Sequence, residues 1–173
     1  ADTSPLVGTN NTEVSSNTIK TIDIYVLSID SNGNLATTTE TTKQNLRTYL
    51  NENRMIGDSV EIRDAFIVNI GIDFEIIVLP DFNSNIVLTA CIERIIQYFN
   101  TSNWQINQPI LLKDLAIELD KVNGVQIVNN ITIENKFGQA SGYSRFGYDL
   151  QQATIGDVIY PSLDPMIFEL KFP

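Results

Sequence analysis

Phe66-Ile-Val-Asn-Ile-Gly-Ile-Asp-Phe-Glu-Ile-Ile-Val78 is the stretch that decides the fold. Phe66, Val68, Ile70, Ile72, Phe74, Ile76 and Val78 occupy every second position, and the intervening face reads Ile67, Asn69, Gly71, Asp73, Glu75, Ile77. Successive side chains of a strand point to opposite faces, so this run is a strand with one apolar and one largely polar face. Such a strand belongs to an antiparallel sheet covered on one side. Slipping it by one residue would bury Asp73 and Glu75, so its register is well specified.

Working outward toward the N-terminus, Ser59 to Arg63 reads as a short strand with Val60 and Ile62 inward, joined to the long strand by a tight turn at Arg63-Asp64. Thr39 to Met55 has a helical stripe of Leu46, Tyr49, Leu50 and Met55, with Lys43, Gln44, Arg47 and Glu52 facing water. A threonine of Thr37 to Thr39 caps it, and Gly57 ends it. Thr21 to Ile29 is a strand apolar on both faces, which predicts a central place in the sheet. The cluster Asp30-Ser31-Asn32-Gly33-Asn34 is a turn.

Toward the C-terminus, Pro80 stops the long strand, and Asn83 or Ser84 caps a helix running to about Asn100. Leu88, Cys91 or Ile92, Ile95 and Phe99 form its expected core stripe, flanked by Ala90 and Ile96. Pro109 introduces a shorter helix, Ile110 to Lys121, with Leu112, Leu115, Ala116 and Leu119 on one side. Asn123-Gly124 is a turn, and Val125 to Glu134 is the last clear strand. The order β-α-β-β-α-β predicts an α+β fold of the ferredoxin-like split βαβ type. Four antiparallel strands would carry two helices on one face, with the Ile110 helix inserted. Residues 1–17 read as a polar linker, 18–137 as the ferredoxin-like domain and 138–173 as a C-terminal arm. In the arm, Val158 to Tyr160 and Met166 to Phe172 look too isolated to build a core.

The chain has 173 residues, 43% of them apolar and 18% charged, which is globular rather than disordered. Its formal net charge of -10 opposes binding to nucleic acid or to an anionic membrane. No run is long and apolar enough to suggest a membrane span, and Ala1 to Asn17 lacks the apolar centre of a signal peptide. The start without Met and the stop at Pro173 read as a piece of a longer protein.

Histidine is absent, so Ser-His and Cys-His nucleophilic arrangements and His-ligated metals have no basis. Cys91, the only cysteine, lies in a helical stripe without a base and reads as a buried inert thiol. Asp30-x-Asn32-x-Asn34 opens like a calcium loop, but Gly33 is misplaced and no closing bidentate acid follows. Asp73 and Glu75 point the same way and read as a solvated sheet face, and Gly138-Gln139-Ala140-Ser141-Gly142 lacks the lysine of a phosphate loop. No catalytic residue, cofactor, metal or small-molecule substrate is expected. The aromatic series Tyr143, Phe146, Tyr148, Tyr160, Phe168 and Phe172 reads either as an arm folded on its own domain or as a set of interface anchors. Tyr143, Phe146, Tyr148, Tyr160 and Phe168 are the interface candidates.

The stretches Thr21-Ile-Asp-Ile-Tyr-Val-Leu-Ser28 through Ile56-Gly57-Asp58-Ser59-Val60 and Ala65-Phe-Ile-Val-Asn-Ile-Gly-Ile-Asp-Phe-Glu75 resemble the baseplate J-like family of contractile-tail phages. So do the helix ending Gln97-Tyr98-Phe99, Asn107-Gln108-Pro109-Ile110, and Leu115 to Val125. The ending Val158-Ile-Tyr-Pro-Ser-Leu-Asp-Pro-Met-Ile-Phe-Glu-Leu-Lys-Phe-Pro173 is similar to the C-terminal part of T4-type baseplate wedge proteins, the subunits of the inner-baseplate ring. The resemblance spans about Thr18 to Pro173 and carries no catalytic motif. It implies a structural virion protein of the tail baseplate, made in the host cytoplasm. Such a protein joins neighbouring wedges as a homodimer and contacts other wedge proteins. The competing expectation is a ferredoxin-like small-ligand-binding or regulatory domain using the sheet face near Asn69, Asp73 and Glu75.

Overall fold

The computed structural model describes residues 20–52, 58–102 and 104–172. In chain order the elements are β1 (Lys20–Val26), β2 (Ser28–Ile29), β3 (Leu35–Ala36), α1 (Glu40–Glu52), β4 (Asp58–Asp64), β5 (Phe66–Val78), α2 (Ser84–Tyr98), β6 (Ile110–Leu111), α3 (Leu112–Asp120), β7 (Val125–Lys136), α4 (Leu150–Ala153), β8 (Thr154–Ile155), β9 (Val158–Ile159) and β10 (Met166–Glu169). The fold is mixed α+β.

β5 is the centre of a three-stranded sheet. It pairs antiparallel with β7 from Asn69 to Val78 and parallel with β10 from Phe66 to Asn69. β1 lies parallel to β4 in a separate pair, Lys20 opposite Asp58 through Val26 opposite Asp64. These pairings correct the expected four-stranded antiparallel sheet. Arg63 and Asp64 belong to β4 itself, so the tight turn expected there does not form. Only Ala65 separates β4 from β5. One residue cannot close a hairpin, whose shortest common loop has two, and the chain runs from one strand into the next without folding back. β1 and β4, linked across α1, then form a parallel βαβ pair. Among the described residues β1 has one strand neighbour and is not central, and Ile22 stays 50% exposed.

Local sequence does set several boundaries. The Thr39 hydroxyl accepts from the Thr42 amide at 3.3 Å and caps α1. The Asn83 side chain accepts from the Asn85 amide and caps α2. Gly124, at φ 98°, makes the turn into β7, and its carbonyl accepts from the Leu79 amide at 2.9 Å. Met55 and Gly57, read as the end of the first helix, lie outside the described residues.

The core sits between the sheet and α2 and α3. Val68, Ile70, Val87, Cys91, Ile95, Leu115, Leu119 and Phe168 are among its buried members. β5 keeps its predicted alternation from Ile72 onward, where Asp73, Glu75 and Ile77 are exposed, but Ile67 to Ile70 are buried on both faces. The reason is the C-terminal segment. Its strand β10 fills one side of β5, and the Ser144 amide donates to Asn69 Oδ1 at 2.6 Å on the polar face. Met166, Ile167 and Phe168 are core residues, so β10 is part of the core. The expectation that these pieces could not build a core is corrected.

Candidate protein interface

The five aromatic candidates separate once the chain is folded. Phe168, on β10, is only 2% exposed and lies against Tyr148 with ring centroids 6.0 Å apart. It cannot anchor a partner, because parallel pairing with β5 turns it into the core. Tyr148 packs against that core and donates its hydroxyl to the Tyr160 carbonyl at 2.8 Å. Phe146 sits edge-on to Phe66, centroids 4.8 Å apart, and Tyr143 edge-on to Phe172 at 5.2 Å. Tyr160 alone of the five is exposed. The aromatic series therefore mostly fixes the C-terminal segment to its own domain, and does not form one outward patch.

A polar clamp reinforces that attachment. Glu169, 4% exposed, accepts from the Leu35 amide at 2.5 Å through one carboxyl oxygen and from Asn69 Nδ2 at 2.6 Å through the other. Asn135 Nδ2 donates to the Asn69 carbonyl, and Asn135 Oδ1 accepts from the Tyr148 amide at 2.8 Å. Buried polar groups of this kind are tolerable only when each is paired.

The face left open is elsewhere. On α2 the buried stripe is Val87, Cys91 and Ile95, continued by Phe99. Leu88 and Ile92, expected inside, are 43% and 37% exposed, and Ile96 is 42% exposed. Cys91, Ile95 and Phe99 thus take the expected inward places and Val87 takes that of Leu88, while Leu88, Ile92 and Ile96 form an apolar stripe at i, i+4, i+8 left exposed among the described residues. Sequence periodicity could not choose between the stripes, because both are apolar.

Burial raises the pKa of the Cys91 thiol, which keeps it protonated and unreactive. Asp30 Oδ1 accepts from the Asn34 and Asn32 amides at 2.9 and 2.8 Å. The backbone hydrogen bond from Asn34 is the largest cause holding this carboxyl below the usual aspartate range. Its oxygen serves the turn. Asp73 and Glu75 stand exposed on the sheet face, with Asn129 Nδ2 donating to Glu75 at 3.1 Å. Among the described residues no group of three or more carboxylate or thiol side chains could hold a metal ion.

A cleft of about 630 Å³ opens beside the clamp, lined by Leu35, Asp64, Asn69, Arg145, Glu169 and Lys171 among others. Its acids are engaged inward, Glu169 by the clamp and Asp64 by Lys43 at 2.5 Å. Arg145 and Lys171 lean over the rings of Phe146 and Phe172. These two cations carry no sequence signal, since only the fold brings residues 69, 145 and 171 together. Compared with protein-family models and with curated proteins, the sequence finds no match.

Proposed function

We propose that this chain is a structural component of a contractile-tail phage baseplate wedge, joining neighbouring wedges through protein–protein contacts and having no enzymatic activity. The sequence resemblance supplies the baseplate context, and the uncovered stripe Leu88, Ile92 and Ile96 is the observation that favours an assembly role. Apolar side chains aligned on one exposed helix face mark a contact surface more often than chance scatter does. The chain keeps the β-α-β-β-α-β element order of the ferredoxin-like plan from β1 to β7, with β2, β3, β6 and α3 added and a different strand pairing. Self-association as a homodimer, contacts with other wedge proteins and location in the virion belong to the same reading.

Two measurements test it. The mass of the purified chain across a concentration series should rise from monomer to dimer, and a constant monomer mass to high micromolar concentration removes the homodimer. An antibody against the chain should label the baseplate end of contractile-tail particles made by the encoding phage, and unlabelled tails remove the virion assignment.

The 630 Å³ cleft favours a second reading, a small-ligand-binding or regulatory domain. Its volume lies within the range of small-molecule sites. Arg145 and Lys171 would face an anionic group there. Calorimetry with small carboxylates and phosphates distinguishes the two, because an assembly module gives no saturable heat.

A further inference from the structure

β5 loses one neighbour where β10 stops at Glu169. β10 pairs only with Phe66 to Asn69, whereas β7 follows the other side of β5 from Asn69 to Val78. The ladder's parity identifies the backbone groups left over. The Phe66 amide donates to the Pro165 carbonyl on the β10 side at 2.9 Å, and the Leu79 amide donates to the Gly124 carbonyl on the β7 side. Successive residues of a strand direct these groups to opposite sides, and the two register shifts of the β5–β7 ladder, between Glu75 and Ile76 and between Ile77 and Val78, place their extra residues on β7, so even-numbered residues of β5 face the β10 side. Ile72, Phe74 and Ile76 thus present N–H and C=O groups to an edge that no other strand among the described residues occupies.

Burial changes at the same point. Val68 and Ile70 are 2% and 1% exposed, but Ile72, Phe74, Ile76 and Val78 on the same face are only partly buried. A cavity of about 220 Å³ lies where β10 ends, lined by Ile72, Phe74, Ile92, Ile95, Leu170 and Phe172 among others. Ile92 belongs to the uncovered stripe of α2, so that stripe borders the open edge. Natural edge strands are commonly blunted by proline or by charged side chains; Ile72 to Val78 has no proline, and its two charges, Asp73 and Glu75, are both negative and repel a second acidic edge more than a basic one.

We propose that the Ile72–Val78 edge takes up an extended segment of another polypeptide as an added strand. Alternate residues of that segment are apolar and rest on Leu88, Ile92 and Ile96. The others are lysine or arginine and lie beside Asp73 and Glu75. Charge selects this occupant. Neither Asp73 nor Glu75 has a salt bridge among the described residues; Asp73 acts on Lys136 only at longer range, and Lys136 itself is held by Glu134 at 2.8 Å. A second copy of β5, paired about a two-fold axis at Phe74, would set Asp73 of each copy against Glu75 of the other. Like charges directly opposite each other destabilise a sheet, and opposite charges stabilise it. Main-chain hydrogen bonds give such strand addition its affinity, and the alternating side chains give its specificity. This goes beyond homodimerisation, which the mass measurement tests separately.

The test uses the full chain and a capped, fluorescein-labelled seven-residue peptide alternating valine and lysine. Fluorescence anisotropy should show saturable binding that weakens as salt is raised. A valine–glutamate peptide should bind about tenfold more weakly or worse, from two charge pairs reversed in sign. At saturation, hydrogen exchange of the Ile72, Phe74 and Ile76 amides should slow by about tenfold or more. Glu75→Lys and Ile92→Asp should each weaken binding of the lysine peptide while the variants melt cooperatively. The proposal is overturned by no binding up to about 1 mM peptide, by equal binding of the glutamate peptide, or by protection elsewhere in the chain. It is overturned equally if the edge amides are already protected in a self-associated chain without peptide.

Discussion

Replacing Glu169 by Gln changes two atoms' chemistry and almost no volume, which makes it a clean probe of the clamp. In the native chain both carboxyl oxygens accept, one from the Leu35 amide and one from Asn69 Nδ2. A glutamine offers one acceptor oxygen and one donor NH2, so one of those two donors loses its partner. Turning the Asn69 amide over does not help, because Asn69 Oδ1 already accepts from the Ser144 amide at 2.6 Å. One buried donor left unpaired costs about 1–3 kcal/mol. Glu169→Leu removes both acceptors and should cost about 2–6 kcal/mol, less whatever its added apolar burial returns. Urea unfolding of the three proteins, fitted by linear extrapolation, measures these differences. Hydrogen exchange at Leu35 and Ser144 should accelerate in both variants, because the clamp holds those amides. A Glu169→Gln protein within about 0.5 kcal/mol of wild type, or one destabilised with Leu35 and Ser144 exchange unchanged, would refute the reasoning.

Gly124→Ala should destabilise by about 2 kcal/mol or more in the same assay, since a Cβ at φ 98° would also meet Phe82 Cδ1 and Val87 Cγ2 at 2.7 Å. Cys91 should react with a disulfide reagent at least about a hundredfold more slowly in the native chain than in denaturant, and fast native labelling would contradict its burial. Asp30 should titrate by carbon NMR below the ordinary aspartate range, because the Asn34 and Asn32 amides favour its charged form. With a folded pKa below the unfolded one, its contribution to stability is present above the unfolded value and lost as pH falls through the folded value. Asp30→Asn should therefore flatten the acid limb of the stability profile.

How far the fold was legible depends on how local its cause is. The turn at Asp30 to Asn34, the Asn83 cap, the Gly124 turn and the alternation of β5 from Ile72 onward are set by neighbours in sequence, and these are present. Strand pairing is set by distant residues. Met166 to Glu169 is four residues long and becomes a strand only because β5, 100 positions earlier, offers it an edge. Glu169 reads as a surface acid until Leu35 and Asn69 are brought to it. The choice of Cys91 over Ile92, and of Val87 over Leu88, on α2 has a similar origin, because either neighbour could pack and only the tertiary contacts decide. Of the five interface candidates, the aromatic character was legible, but the side of the molecule it would serve was not.

The late position of β10 has a consequence for synthesis. A ribosome adds roughly 5–20 residues each second, so about 90 residues beyond β5 take several seconds to make. Throughout that interval the central strand stands without the neighbour that buries Ile67 and Val68. Asn69 meanwhile lacks Glu169. Contacts at such separation also form slowly on their own account. A nascent chain of this kind is most vulnerable to aggregation just before β10 arrives, so expression should improve when a holding chaperone is supplied and worsen when translation between β5 and β10 is slowed.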